Sequence, residues 1–586
     1  MLSEYAMVHV TYNLPLAVSM TGLYWPFLSR LDVLKIFSLV TISVIATTPW
    51  DSYLVRNKIW TYPEHAVSGY TIFYIPLEEV FFFIIQTYNT GMIYTIITRR
   101  LVLPSHLQKP PRALQILGGL ILGSAALGGV AAFMIGDKYT YIGLTVAWAC
   151  SWLLLQWVFA SNLILNFPRK ELVASVMIPT VLLWVVDTLS LGRGTWAIEN
   201  STKLDIQVWG KLELEEAVFF LLSNIMIVNG LVAADYAIAM LDCQKAQSTG
   251  DIEEHFSIRK ALTSFIAPEE KSCTSFVTGL RKSVQRLAIS SQSMYMGSAM
   301  FQGPLRIDLI FLYSFCRIAD DLVDASSSET AETIIEQCGQ LLDAKFASPS
   351  DFPKSVGPKL QSFHGLTELI EAIDYLPVSR LRIEPLQGLL EGFKQDLQFN
   401  HHKRVFPISS EAELEDYAYH VAGTVGLCVL DLIFHHFPHH QFATEPSLRE
   451  EVREAGCQMG MALQYINIAR DIGRDAAIDR VYLPTTWLKE AGISSEDVVF
   501  CPSDPRVDKI RSRVLLKAKE LHDQSENAIR NLPREVQGPL HATVKSYMEI
   551  GVALEHGARP CRPDHKLRLS IPRRLVVVYK AMASQK

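Results

Sequence analysis

In the segment FLYSFCRIADDLVD, residues 311–324, Asp320 and Asp324 stand four apart, and so on one face of a helix, with Asp321 beside them. In QYINIARDIGRDAAIDRVYLP, residues 464–484, Gln464, Asn467, Asp471 and Asp475 follow i, i+3, i+7 and i+11, again a single face. Two helices turning such faces toward a shared cavity make an all-oxygen cage for hard cations. Mg²⁺ takes these ligands and bridges them to substrate phosphates. Arg317 and Arg470, within the same segments, can add charge-assisted hydrogen bonds to a diphosphate. A lone DxxxD is usually a solvated helix face with ordinary ion pairs. Two clusters, each beside an arginine, the second with its glutamine, asparagine and RVYLP tail, argue against that reading.

A second set of carboxylates lies in the N-terminal half. PLEEVFFFIIQT places Glu78 and Glu79 at the start of an apolar helix, and LELEEAVFF does the same for Glu215 and Glu216. An anion at membrane depth is costly and such residues are usually functional, which suits neutral acids able to donate a proton. The adjacent Phe81, Phe82, Phe83, Phe219 and Phe220 can stabilise a carbocation through their ring faces. The alternative is that the acids cap helix N-termini at the interface. Glu78 and its repeat partner Glu215 are the first choice of donor, Glu79 and Glu216 the second.

These residues need elements to position them. Of the 586 residues, those up to 241 are mostly apolar, whereas 242–586 have the charge density of a soluble helical protein. Seven apolar stretches, 5–28, 31–50, 70–97, 113–135, 141–165, 172–191 and 212–240, approach the ~20 residues that a spanning helix needs. The first lacks a basic leader and is expected to be retained as a span. Asp51 precedes Trp60 by nine residues, as Asp187 precedes Trp196, and Leu77-Glu78-Glu79 recurs as Leu214-Glu215-Glu216. The pattern maps helices one to three onto five to seven, predicting a parallel internal repeat with the fourth as connector. Basic residues are denser in the loops after the third and fifth stretches, which favours that side, and the soluble half with it, as cytosolic. Three domains are expected: 1–241 in the membrane, a polar linker 242–270, and a helical domain 271–586. Residues 345–359, 500–507 and the HHFPHH run at 435–440 are expected in surface loops. A net charge of −6 offers no basic footprint for nucleic acid. Nine scattered cysteines without a CxxC pair fit a reducing compartment.

The segment from about 275 to 560 closely resembles the squalene/phytoene synthase family, through YSFCRIADDLVD, EGFKQDL (391–397), YAYHVAGTVGL (417–427) and NIARDIGRDAAIDRVYLP (467–484). The resemblance implies an all-α isoprenoid synthase domain. In it Asp320, Asp324, Asn467, Asp471 and Asp475 match metal positions holding Mg²⁺, or alternatively Mn²⁺. Tyr313, Arg317, Tyr417, Arg470 and Tyr482, with Gln464, match the cavity and diphosphate positions. Met294 departs from the family's usual Phe. The implied reaction joins two molecules of geranylgeranyl diphosphate head to head, through prephytoene diphosphate, to phytoene. The N-terminal motifs resemble the membrane-type lycopene cyclases, so the resemblance covers nearly the whole chain. It implies a redox-neutral, proton-initiated closure of lycopene ends to the β-rings of γ- and β-carotene. No GxGxxG stands at a strand–helix junction, so no tightly bound flavin or nicotinamide is expected. The implied surroundings are membrane lipid and a separate phytoene desaturase. Two rivals are a squalene synthase-like enzyme, marked by an NADPH requirement, and a seven-helix receptor or transporter, which the paired acids count against.

Overall fold

The computed structural model describes residues 2–248, 271–353, 360–400, 403–559 and 566–585. Most of the expected linker, 249–270, and part of the expected loop at 345–359 lie outside the described residues. The chain divides into two compact units, one built from residues up to Gln244 and the other running on from Thr278.

Among the described residues the first unit has seven long helical segments. The first is composite: Glu4–Val8, a π-helical turn His9–Asn13, and Leu14–Tyr24. The others are Arg30–Arg56, Leu77–Thr98, Arg112–Ile135, Thr140–Asn166, Arg169–Arg193 and Leu214–Gln247. These six are long and apolar enough to cross a membrane. Exposed side chains such as Phe37, Ile45, Leu127, Met134 and Val158 leave a greasy outer surface suited to lipid. Several boundaries differ from those read in the sequence; the second helix, for one, runs on to Arg56. The third and seventh helices begin at Leu77 and Leu214, because Thr71–Pro76 and Gln207–Glu213 fold back as short antiparallel hairpins. The seventh helix also runs on to Gln247. A one-dimensional apolar run could not separate hairpin from helix, since both are hydrophobic.

Both hairpins feed directly into a helix that opens with two glutamates, which repeats the sequence motif in structure. The two repeats also touch: Trp60 pairs with Ile198 and Thr61 with Ala197 in an antiparallel ladder. The fourth and fifth helices pack backbone to backbone. A Cβ on Gly129 would lie 2.5 Å from Ala147 N, and one on Gly143 2.5 Å from Phe133 N. Such close approach through small residues is how helices associate in lipid, where no hydrophobic effect drives them together.

The second unit is helical throughout its long elements. Its two aspartate clusters ride on Gly303–Asp324 and Pro446–Ala476. The helix carrying the second cluster crosses a π-helical turn, Tyr419–Gly423, and the helix Thr424–His436. Glycines set the spacing: a Cβ on Gly460 would meet Ala422 O at 2.4 Å and one on Gly426 would meet Gly456 O at 2.6 Å. The stretch Glu411–His436 is also apolar enough to span a membrane, but it forms an inner wall of this unit.

The HHFPHH run is not all loop. His435 and His436 end a helix, and buried His436 Nε2 lies 2.6 Å from Asp308, which also binds Arg380 at 2.7 Å. Both side chains of that ion pair are 2% exposed. Asp308→Ala would leave Arg380 buried and uncompensated. The expected result is a loss of about 3–5 kcal/mol in the stability of this unit, measured as the shift of its unfolding transition in the full chain.

Candidate active sites

Eleven of the residues singled out in the sequence line one cavity of about 500 Å³: Tyr313, Arg317, Asp320, Asp324, Tyr417, Gln464, Asn467, Arg470, Asp471, Asp475 and Tyr482; Asp321, read beside Asp320, is not in its wall. One end is charged. The rest of the wall is apolar, with Leu389, Phe393, Val425, Val429 and Met459 among its residues. That division suits a ligand with an ionic head and a hydrocarbon tail.

At the charged end five aspartates balance five basic side chains in number, but like charges crowd one another. Burial, then the neighbouring Asp324, pushes Asp320 up to about 6. Burial, then Asp471, pushes Asp475 up to about 8. Lys566, on the same wall, is pushed down by burial, with Arg470, Arg474 and Arg317 opposing the pull of Asp471. Carboxylates short of cations beside cations short of anions are what a metal–diphosphate pair would complete. The oxygen donors fit such an ion. Asn467 Oδ1 is buried with no hydrogen-bond partner among the described residues, while its Nδ2 donates to Gln464 Oε1 at 3.2 Å. Arg470 grips Asp471 by two bonds of 2.7 Å, and Arg317 spans Asp320 and Asp321. Among the described residues, the compact trio of metal-ligating atoms is elsewhere, at His522, Asp523 and Glu526. The aspartates face a common cavity without closing on one point, a layout for ions bridged by substrate phosphate oxygens.

Sequence reasoning missed Asp396, Arg474, Arg480, Tyr547 and Lys566, which share the cavity. Asp396 accepts from Tyr482 at 2.8 Å and from Tyr417 at 3.4 Å, and burial above all pushes it up to about 6. Its signal was present, since it is the aspartate of EGFKQDL. Arg480 reaches Asp324 at 3.0 Å, tying the RVYLP tail to the first cluster.

In the first unit the two glutamates of each pair part company. Glu78 Oε1 accepts from Ser68 N and Ser3 Oγ, both at 2.7 Å. Glu215 Oε1 accepts from Leu204 N at 2.6 Å. Each pins the loop preceding its helix. The second members face inward: Glu79 Oε2 accepts from Tyr5 at 2.6 Å and Tyr62 at 2.8 Å, and Glu216 Oε1 from Tyr141 at 2.9 Å. Glu79, Asp51, Asp187 and Glu216 are close enough to interact electrostatically. Asp187 accepts from Trp196 Nε1 at 3.0 Å, so the nine-residue Asp…Trp spacing is a hydrogen bond in the second repeat. A narrow cavity of about 20 Å³ is lined by Glu79 and Asp187 together with Tyr5, Phe82, Trp196, Phe219 and Phe220. The preference for Glu78 and Glu215 is thus opposed by placement: they anchor loops, and Glu79 lines the cavity. Helical spacing cannot tell adjacent residues' roles apart without the neighbouring loops.

A family model described as squalene/phytoene synthase matches residues 287–574. A protein of Aspergillus oryzae named bifunctional lycopene cyclase/phytoene synthase is 53% identical over 584 residues, covering 100% of both chains. One of the same name from Arthroderma gypseum is 44% identical over 598 aligned positions, with 99% of each chain covered. A crystal structure of a dehydrosqualene synthase in complex with ligand aligns with a TM-score of 0.42 at 19% identity, over 53% of this chain and 97% of that one.

Proposed function

The chain belongs to the family of bifunctional lycopene cyclase/phytoene synthases, an enzyme family of carotenoid biosynthesis that forms phytoene and cyclises lycopene, and we propose how its residues divide that work. The observation that carries the proposal is that each unit gathers its own motif residues around its own cavity.

In the second unit, two molecules of geranylgeranyl diphosphate bind with their tails along the apolar wall and their heads among Arg317, Arg470, Arg474, Arg480 and Lys566. Asp320, Asp324, Asn467, Asp471 and Asp475 would hold divalent ions, Mg²⁺ in this reading. When bound, these neutralise the leaving diphosphate. The apolar wall keeps water from the allylic cation, which the double bond of the second molecule attacks with loss of a proton to give prephytoene diphosphate; departure of its diphosphate, rearrangement and loss of a final proton then give phytoene. Tyr417 and Tyr482, each hydrogen-bonded to Asp396, border the cavity where a final proton must leave.

In the first unit, Glu79 donates a proton to the terminal double bond of lycopene. With both phenols on Oε2, Oε1 is the oxygen that carries it. Phe82, Phe219 and Phe220 stabilise the ring cation through their faces, and Asp187, across the same cavity, takes the proton released as the β-ring forms. Glu216, tied to Tyr141, supports the charge balance behind them. The cavity is too small for a ring as it stands, so the aromatic wall moves aside on binding. The unit spans a bilayer. The basic loops after the third and fifth helices support a cytosolic position for that end and for the synthase unit.

The test is the pigment made by cells that supply geranylgeranyl diphosphate. The chain alone should yield phytoene; with a phytoene desaturase added, it should yield cyclised carotenes. Squalene-type products, or lycopene without rings, would contradict the assignment. Within the same assay, Glu78→Gln and Glu215→Gln should retain cyclisation. A lost loop anchor costs only about 1 kcal/mol, so colour in these strains should match that of the unaltered chain.

A further inference from the structure

The helix Pro505–Ser525 runs into a short helical turn, Glu526–Asn531, and the helix Arg534–Glu555 packs beside them. His522 and Glu526, four residues apart, share one face across that junction, and His541 comes from the second helix. Both imidazoles are buried, at 5% and 6% exposure, and neither Nε2 has a hydrogen-bond partner among the described residues. Buried ring nitrogens left unpaired are costly unless something binds them. Asp523 fixes the tautomer of one. A carboxylate can only accept, so His522 Nδ1 carries the proton, which it donates to Asp523 Oδ1 at 3.0 Å. Its Nε2 is left with a bare lone pair, 4.0 Å from Glu526 Oε2. Lys545 holds the other carboxylate oxygen, Oε1, at 2.5 Å. His541 interacts electrostatically with both Glu526 and His522. Ligating atoms of His522, Asp523 and Glu526 lie within 4.8 Å of one another.

A carboxylate behind a buried histidine, a free Nε2 in front of it, and a second histidine and a glutamate alongside make the donor set of a zinc site. We propose that His522 Nε2, His541 Nε2 and Glu526 Oε2 bind one Zn²⁺, with Asp523 as the partner that orients His522, at a site separate from the aspartate cage. Nitrogen donors select zinc over Mg²⁺, which takes oxygen. An ion about 2.0–2.2 Å from each donor needs the Nε2 and Oε2 atoms, 4.0 Å apart, to draw only slightly closer. Glu526 and His541 face a polar pocket of about 550 Å³, which gives the ion a way in. Arg530, Arg534 and Lys545 line the same pocket and repel any loosely held cation, so the site suits one fixed by strong directional bonds. The ion's role is structural. It pins the outer side of a helix pair whose inner side walls the synthase cavity, through Ser525, Ala528 and Ile529 on one part and Leu540, Thr543 and Val544 on the other.

The test uses the full chain in detergent, stripped with a chelator and then held in excess Mg²⁺ to fill the aspartate cage. Co²⁺ is the probe, because a four-coordinate ion with nitrogen ligands absorbs visible light far more strongly than one among six oxygens. One equivalent of Co²⁺ should give the intense spectrum. One equivalent of Zn²⁺ should erase it and raise the unfolding transition of the second unit by several degrees. His541→Gln should abolish both responses, and Asp523→Asn should weaken Zn²⁺ binding about 10–100-fold. Phytoene formation by each variant reports that it is folded. A weak, six-oxygen spectrum in the unaltered chain would overturn the site without any variant having to fold. An intense spectrum that survives His541→Gln, or an unfolding transition that Zn²⁺ leaves in place, would overturn it too.

Discussion

Asp471→Ala should abolish phytoene formation while leaving the conversion of supplied lycopene to cyclic carotenes intact. Asp471 sits at the centre of the charged end, gripped by Arg470 at 2.7 Å and acting on Asp475 and Lys566 alike. Removing it takes away an oxygen ligand and releases Arg470 from its geometry. A metal-facing carboxylate supplies several kcal/mol of charge stabilisation, so a fall of about 10³-fold or more is expected. Asp320→Ala, on the opposite helix, should behave alike. The measurement is phytoene formed from geranylgeranyl diphosphate by membranes carrying each variant, with lycopene cyclisation as the internal control for folding. Phytoene at near the unaltered rate would remove these aspartates from the chemistry.

Glu79→Gln should stop cyclisation and leave lycopene, while phytoene continues to form. The amide keeps the size of the side chain and one acceptor for the Tyr5 and Tyr62 hydroxyls, but it has no proton to give. General acid catalysis typically contributes about 10²–10⁴-fold, enough to turn a culture from cyclic carotenes to lycopene. Asp187→Asn should act in the same direction, because it removes the acceptor across the cavity while retaining a partner for Trp196. Pigment extracts of the two strains, read for lycopene against β-carotene, decide the matter. Full cyclisation in both would return these residues to a structural role and put Glu216 or Asp51 in their place.

The two sites were not equally legible in the sequence. Of the residues drawn from the aspartate motifs all but Asp321 line the cavity of the second unit, since helical periodicity alone brings Asp320 under Asp324 and Asp471 under Asp475. Lys566 was illegible, because nothing in its neighbourhood repeats and only the fold brings it to Arg470 and Arg317. The π-helical turns at His9–Asn13 and Tyr419–Gly423 were illegible too, since a single extra residue in a helical turn leaves no periodic trace. In the first unit six of the seven expected spans and the repeat could be read from hydropathy and spacing, whereas the first stretch is broken into short helical pieces. The choice between Glu78 and Glu79 could not. It is made by Ser68 and Tyr62, loop residues whose positions depend on the hairpin and the Trp60–Ile198 ladder.

The small cavity in the first unit draws Glu79 and Phe82 from one repeat and Asp187, Trp196, Phe219 and Phe220 from the other. On the proposed assignment the two repeats together line one reaction chamber. A linear C40 hydrocarbon with two equivalent ends can present only one of them at a time. After the first ring closes, the molecule must back out and re-enter the other way round. On that assignment the kinetics are expected to be distributive: a one-ring species is released between turnovers, competes with fresh substrate for the same chamber, and accumulates whenever lycopene is abundant.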